Sequence, residues 1–129
     1  MDLIYTPDAT PPAGHYSQAV RANGFVLSRD SSASWRRLPG ARPVLAQGAA
    51  AQAEAALRSM EAILLAADSS LAAVVNVTVY VRDVGLWDEV NRVYERRFGA
   101  HKPARAIVPT GELHYGALVE ISAVALAQA

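Results

Sequence analysis

Val74-Val75-Asn76-Val77-Thr78-Val79-Tyr80-Val81 decides how the rest of the chain must fold. Its density of β-branched residues predicts a strand. Both of its alternating sides are largely apolar. Upstream, residues Gln47 to Ala67 are rich in Ala, Gln, Glu, Leu and Met, with Ala53, Leu57, Met60, Leu64 and Ala67 recurring at helical spacing, which predicts an amphipathic helix. Downstream, Trp87, Val90, Tyr94 and Phe98 mark one face of a second helix that Gly99 ends, so Trp87 and Tyr94 are read as packing residues. Ala104 to Val108 and Ala117 to Leu126 follow as strands. Near the start, Tyr16 to Ala22 and Phe25 to Ser28 flank Asn23-Gly24, the dipeptide suited to a type I′ turn, and predict a hairpin. Residues Arg29 to Gly40 are polar and predict a loop, with Arg42 to Ala46 forming a short strand.

This order gives an α+β class: a mixed sheet with both helices on one face. The 129 residues suit one domain spanning 1–129. The other sheet face, left without helices yet apolar, is expected to pack against further copies in a closed homo-oligomer.

Composition narrows the chemistry. Twelve basic residues balance twelve acidic ones, so no global field favours nucleic acid. Arg36-Arg37 and Arg96-Arg97 are read as solvated surface. The absence of cysteine removes disulfides, thiolate metal sites and cysteine nucleophiles. His15, His101 and His114 have no metal-ligand spacing, so no metal is expected. Neither a Gly-x-Ser-x-Gly elbow nor a Gly-rich phosphate loop occurs. The acidic, proline-broken N-terminus does not resemble a signal peptide, and no apolar run reaches the roughly 18 residues of a membrane span. A soluble cytoplasmic protein is expected.

Two charges stand out in the last third. Arg105 sits at the entry of one apolar strand and Glu120 inside the other. A buried carboxyl is pushed toward its neutral form and suited to handling a proton or holding a water. Equally, Glu120 could pair with a neighbouring base at a sheet rim. Arg105 offers a planar fork for a ligand carboxylate. It could instead close an internal salt bridge, with Glu120 as one partner.

The segments Gly14-His15-Tyr16-Ser17-Gln18-Ala19-Val20, Val74 to Asp83, Val90-Asn91-Arg92-Val93-Tyr94, Lys102-Pro103-Ala104-Arg105 and Gly116 to Ile121 together resemble the signature blocks of the RidA/YjgF family. That resemblance implies a chorismate-mutase-like fold assembled as a homotrimer, with pockets in the clefts between subunits. It implies hydrolytic deamination of 2-imino or 2-enamino acids to 2-keto acids and ammonia without a cofactor. In that picture Arg105 binds the substrate carboxylate and Glu120 positions or activates the attacking water, while Tyr16, Arg29, Ile107 and Asn91 line the site. The chain departs from the family at Ser28-Arg29-Asp30, where typical members have Ser-Gly-Gln, and in the loop containing Trp35-Arg36-Arg37. Ile107 replaces a commonly polar residue. A side chain at Arg29 is expected to narrow or recharge the pocket, so a non-catalytic trimer that binds a small carboxylate is the alternative. Ribonuclease activity, attributed to relatives, is a third reading that the neutral charge balance disfavours.

Overall fold

A computed structural model describes residues 1–29, 31–32, 34–36 and 44–128. Its elements are β1 (Asp2–Ile4), β2 (Ala19–Ala22), β3 (Phe25–Ser28), β4 (Ser31–Ser32), β5 (Ser34–Arg36), β6 (Val44–Leu45), α1 (Ala49–Ala66), β7 (Val74–Val81), α2 (Trp87–Phe98), β8 (Ala104–Pro109) and β9 (Val119–Leu126). The main sheet runs β1-β2-β3-β9-β7-β8, with β4 also on β9. Among the described strands only β7 and β8 pair in parallel, joined by the α2 crossover, so the sheet is mixed.

The expected strand 74–81 is present with those bounds and lies between β9 and β8. Along β9 burial alternates residue by residue: Val119, Ile121, Ala123 and Ala125 are buried, while Glu120, Ser122 and Val124 are half-buried and Leu126 is exposed. The buried set, together with Val77, Val79 and Val81, packs in one core with Leu57, Met60, Ile63 and Leu64 of α1 and Val90, Val93, Tyr94 and Phe98 of α2. Both helices therefore cover the same face, as the class assignment requires. The opposite face presents Leu3, Phe25, Leu27, Val108 and Leu126, all exposed in the single chain.

Local chemistry sets the helix ends. Asp88 and Glu89 occupy the first turn of α2 and Arg96 and Arg97 its last, matching the helix dipole, and Gly99 leaves it at a φ of 60°. Arg97 is not the solvated residue expected: it bridges to Glu54 (2.7 Å) and Glu61 (2.9 Å) of α1, tying the two helices together. Trp87 also departs from its reading as core, since it is 38% exposed.

The hairpin turn takes positive φ at Asn23 (52°) and Gly24 (82°), as a type I′ turn requires. Its first strand begins only at Ala19, because the segment before it serves another purpose. Gln18, fully buried, accepts from the Thr6 backbone N–H (2.6 Å) and donates to the carbonyls of Thr6 (3.1 Å) and Thr10 (3.0 Å). That amide clasps the lead-in and supports β1, a strand too short to show a period. The polar stretch expected as a loop carries β4 and β5 instead, and β6 falls within the short strand expected at 42–46. Backbone pairing explains the difference: Ser31 and Ser32 take register partners on β9, which needs no apolar side chains. Asp30, Ala33 and residues 37–43 lie outside the described residues.

Replacing Gln18 by Ala removes all three clasp bonds and leaves buried backbone groups unpaired. We expect a loss of about 2 kcal/mol or more in urea unfolding. An unchanged midpoint would show that the lead-in is held by other contacts.

Candidate functional site

Parallel pairing with β7 decides where Arg105 points. Its register partner is Val77, a core residue, so Arg105 emerges on the helix-covered face beneath α2. Ile107, opposite Val79, is on the same side and packs half-buried against the core. Asn91 meets Arg105 from the helix: Arg105 Nη1 donates to Asn91 Oδ1 at 2.7 Å. Asn91 Nδ2 in turn donates to Glu95 Oε1 at 3.0 Å, one helical turn further on. Glu95 thus turns the amide so that its oxygen faces the guanidinium.

Two rings complete this environment. The Arg105 guanidinium carbon lies 4.6 Å from the centre of the Tyr94 ring and 5.6 Å from that of Trp87. Trp87, Asn91 and Tyr94 are spaced by four and three residues, so they share one face of α2. This second role of the two aromatics was missed, although the spacing that put them with the core also put them beside Asn91. Beyond them opens a cleft of ≈ 360 Å³ whose lining includes Asn91, Tyr94, Glu95, His101, Lys102 and Arg105. His101 is anchored at its rim, with Nε2 2.7 Å from the Val74 carbonyl oxygen.

Arg105 and Glu120 do not meet within one chain. Glu120 is opposite Tyr80 of β7 and Ser32 of β4, and it points away from the helices because Val119 and Ile121 point toward them. The internal salt bridge between the two charges is therefore excluded. Among the described residues Arg105 has no carboxylate in contact at all, its polar partner being the neutral Asn91.

Tyr16 and Arg29 come together at the far end of the hairpin. Tyr16 is half-exposed, and its hydroxyl accepts from the Ala13 N–H at 2.9 Å. The Arg29 guanidinium donates to the Thr10 carbonyl and lies 5.9 Å from the Tyr16 ring centre. Burial lowers its pKa, an effect that Tyr16 partly offsets through its charge and a hydrogen bond. Arg29 is close in sequence to Ser32, the register partner of Glu120, so Tyr16, Arg29 and Glu120 belong to one end of the sheet. Each chain consequently carries two separate groups: Arg105, Asn91 and Ile107 under α2, and Glu120, Tyr16 and Arg29 elsewhere. Asp30, the other departure, lies outside the described residues, as does Arg37.

The chain matches known proteins along almost its full length. Residues 6–127 match the family described as Endoribonuclease L-PSP. The RutC family protein UK114 of Drosophila melanogaster is 37% identical over 96% of this chain and 88% of its own. RidA from an Antarctic Psychrobacter has the same fold at a TM-score of 0.89 and 31% identity, over 98% of this chain and 99% of the other. Escherichia coli TdcF, solved with bound serine, superposes at a TM-score of 0.89 and 25% identity, over 99% of this chain and 100% of that one. No described helix is long and apolar enough to cross a membrane.

The Tyr94 phenol gives the site a pH signature. Burial raises its pKa above the ordinary 10.0, and the nearby Arg105 charge pulls partly the other way. The folded chain thus holds this proton more tightly than the unfolded chain. The resulting stabilisation is complete below about pH 10 and is lost as pH rises through the folded pKa. Tyrosinate absorbance should show one ring titrating late, and Tyr94→Phe should remove that component. A late component that survives Tyr94→Phe would refute the assignment.

Proposed function

The chain belongs to the Endoribonuclease L-PSP family, to which RidA and UK114 are related, and on that footing we propose that it hydrolyses reactive 2-imino or 2-enamino acids to 2-keto acids and ammonia without a cofactor. One observation carries the reading: a half-buried guanidinium with aromatic rings and an amide around it but no counter-carboxylate among the described residues. Such a group is completed by a carboxylate brought by a ligand. The serine bound by TdcF is a ligand of that kind.

Glu120 supplies the other half of the chemistry. The protonated imine is already electrophilic, so the protein has only to orient it, hold a water and move protons. The water oxygen bonds to the imine carbon as Glu120 accepts a proton from it. That proton is passed to nitrogen, making it a leaving ammonia. The C–N bond then breaks as the new hydroxyl gives its proton to the Glu120 carboxylate and becomes the keto oxygen. Tyr16, Asn91, Ile107 and Arg29 form the walls.

Since Arg105 and Glu120 point to opposite sides of one sheet, the complete site takes Arg105 from one subunit and Glu120 from the next. The exposed apolar face of Leu3, Phe25, Leu27, Val108 and Leu126 supports association of copies into a closed trimer. The departure at Arg29 favours a second reading, a trimer that binds small carboxylates without turnover. Saturable binding of 2-keto acids with no turnover of any imine would select it. Ribonuclease chemistry is disfavoured by the zero net charge and by the pairing of Arg21 and Arg97 with acids. The purified protein should leave RNA intact.

Imines generated in situ by an amino-acid oxidase should release ammonia faster with the protein than in buffer; no acceleration across several amino acids would sink the deaminase reading. Arg105→Ala should abolish turnover of carboxylate substrates, and Glu120→Gln should slow it by about 10² or more. Refolded together in equal amounts, the two variants should regain about one quarter of wild-type activity, because random assembly leaves that share of interfaces with both native residues. Recovery no greater than the sum of the separate variants would exclude a shared site.

A further inference from the structure

Tyr94 is buried, with 7% of its surface exposed, and its hydroxyl has no hydrogen-bond partner among the described residues. A tyrosine used only for packing normally finds a partner for that group when buried. What this one has instead is a cation over its ring: the Arg105 guanidinium at 4.6 Å, inside the range of a favourable cation–π contact. The ring also packs against Phe98, at 4.5 Å between centres. Trp87 adds a second, more exposed ring at 5.6 Å.

We propose that Tyr94 is a positioning residue whose ring face, with Trp87 beside it, holds the Arg105 guanidinium in its carboxylate-receiving orientation. The inference rests on the reading of Arg105 as a carboxylate receptor. Asn91 occupies one edge of the guanidinium through Nη1. A single hydrogen bond leaves the plane free to swing about that contact, whereas a ring against the flat face removes the swing. The fork therefore meets a ligand already oriented, and less freedom is lost on binding. The ring does this work and the hydroxyl does not.

The two parts of the side chain are separable. Tyr94→Phe keeps the ring and should bind pyruvate, as the 2-keto acid probe, within about twofold of the native protein by calorimetry. Tyr94→Leu removes the π face and should weaken binding by about three- to thirtyfold. Equal affinities for the Phe and Leu variants would overturn the proposal. If Tyr94→Leu does not fold, Trp87→Leu at the more exposed ring should weaken binding at least twofold, and no change would count against the cradle.

A readout independent of ligand separates this idea from the proposed activity. ¹⁵N relaxation of Arg105 Nε should report an ordered guanidinium in the native protein and in Tyr94→Phe, and a mobile one in Tyr94→Leu. An unchanged order in Tyr94→Leu refutes the positioning role, whether or not pyruvate binds. A native protein that fails to bind pyruvate while Arg105 shows that loss of order would leave the cradle standing and remove the carboxylate reading alone.

Discussion

The two charges of the candidate site, Arg105 and Glu120, take their directions from the two-residue alternation along the central strands. β9 pairs with β3 and β4 on one side and with β7 on the other, so its register fixes which side of the sheet each neighbour faces. With Ile121 and Ala123 committed to the core, Glu120 has no choice but the uncovered side. With Val77 committed likewise, Arg105 has no choice but the covered one. A slip by one residue of β9 on β7 would bury Glu120 among aliphatic side chains, at a cost of several kcal/mol, and one of β8 on β7 would carry Arg105 to the uncovered face, away from Asn91. The hydrophobic core and the directions of these two charges are thus two results of one constraint.

Arg105 shows how a fold keeps a charge available. A guanidinium matched to an internal carboxylate would be stable and chemically spent. Here the partners are an amide oxygen and ring faces, which favour the cation while leaving its charge uncancelled. Glu95 contributes at one remove, through Asn91, so negative charge lies near the cation without contacting it. Contrast Arg97 on the same helix, which is closed off by Glu54 and Glu61 and serves only to join α1 to α2.

Much of the architecture was legible because it is written in side-chain periodicity. The strand at 74–81, both helices, the Asn23-Gly24 turn and the bare sheet face all follow from spacing and turn chemistry. What escaped was written elsewhere. β4 is two serines, β1 and β5 are three residues long, and the Gln18 clasp is a contact across twelve positions. For the site, the residue types at Arg105 and Glu120 suggested a pair, whereas the pairing register separates them onto two faces. Apolar strands on both sides of the sheet hide that fact, since no single-strand pattern says which face the helices will cover. Trp87 and Tyr94 were legible as aromatic neighbours, but their guanidinium comes from a strand eleven residues beyond Tyr94 and could be located only by the β7–β8 pairing.

The junction between β3 and β4 has a consequence for how such a site can diversify. From Leu27 to Ser31 the chain advances four residues while its partners on β9, Val124 to Ile121, advance three, so one residue is surplus to the ladder. The Ala123 N–H is satisfied there by the Ser28 hydroxyl at 3.0 Å and not by a strand carbonyl. Side chains beside this surplus, Arg29 among them, are released from the strict in-and-out alternation, as happens again where β7 shifts register against β9 between Val74 and Asn76. Mutation can therefore resurface the neighbourhood of Glu120 without shifting a single pairing of β9, which lets this corner of the molecule drift through evolutionary time while the fold that carries it stands still.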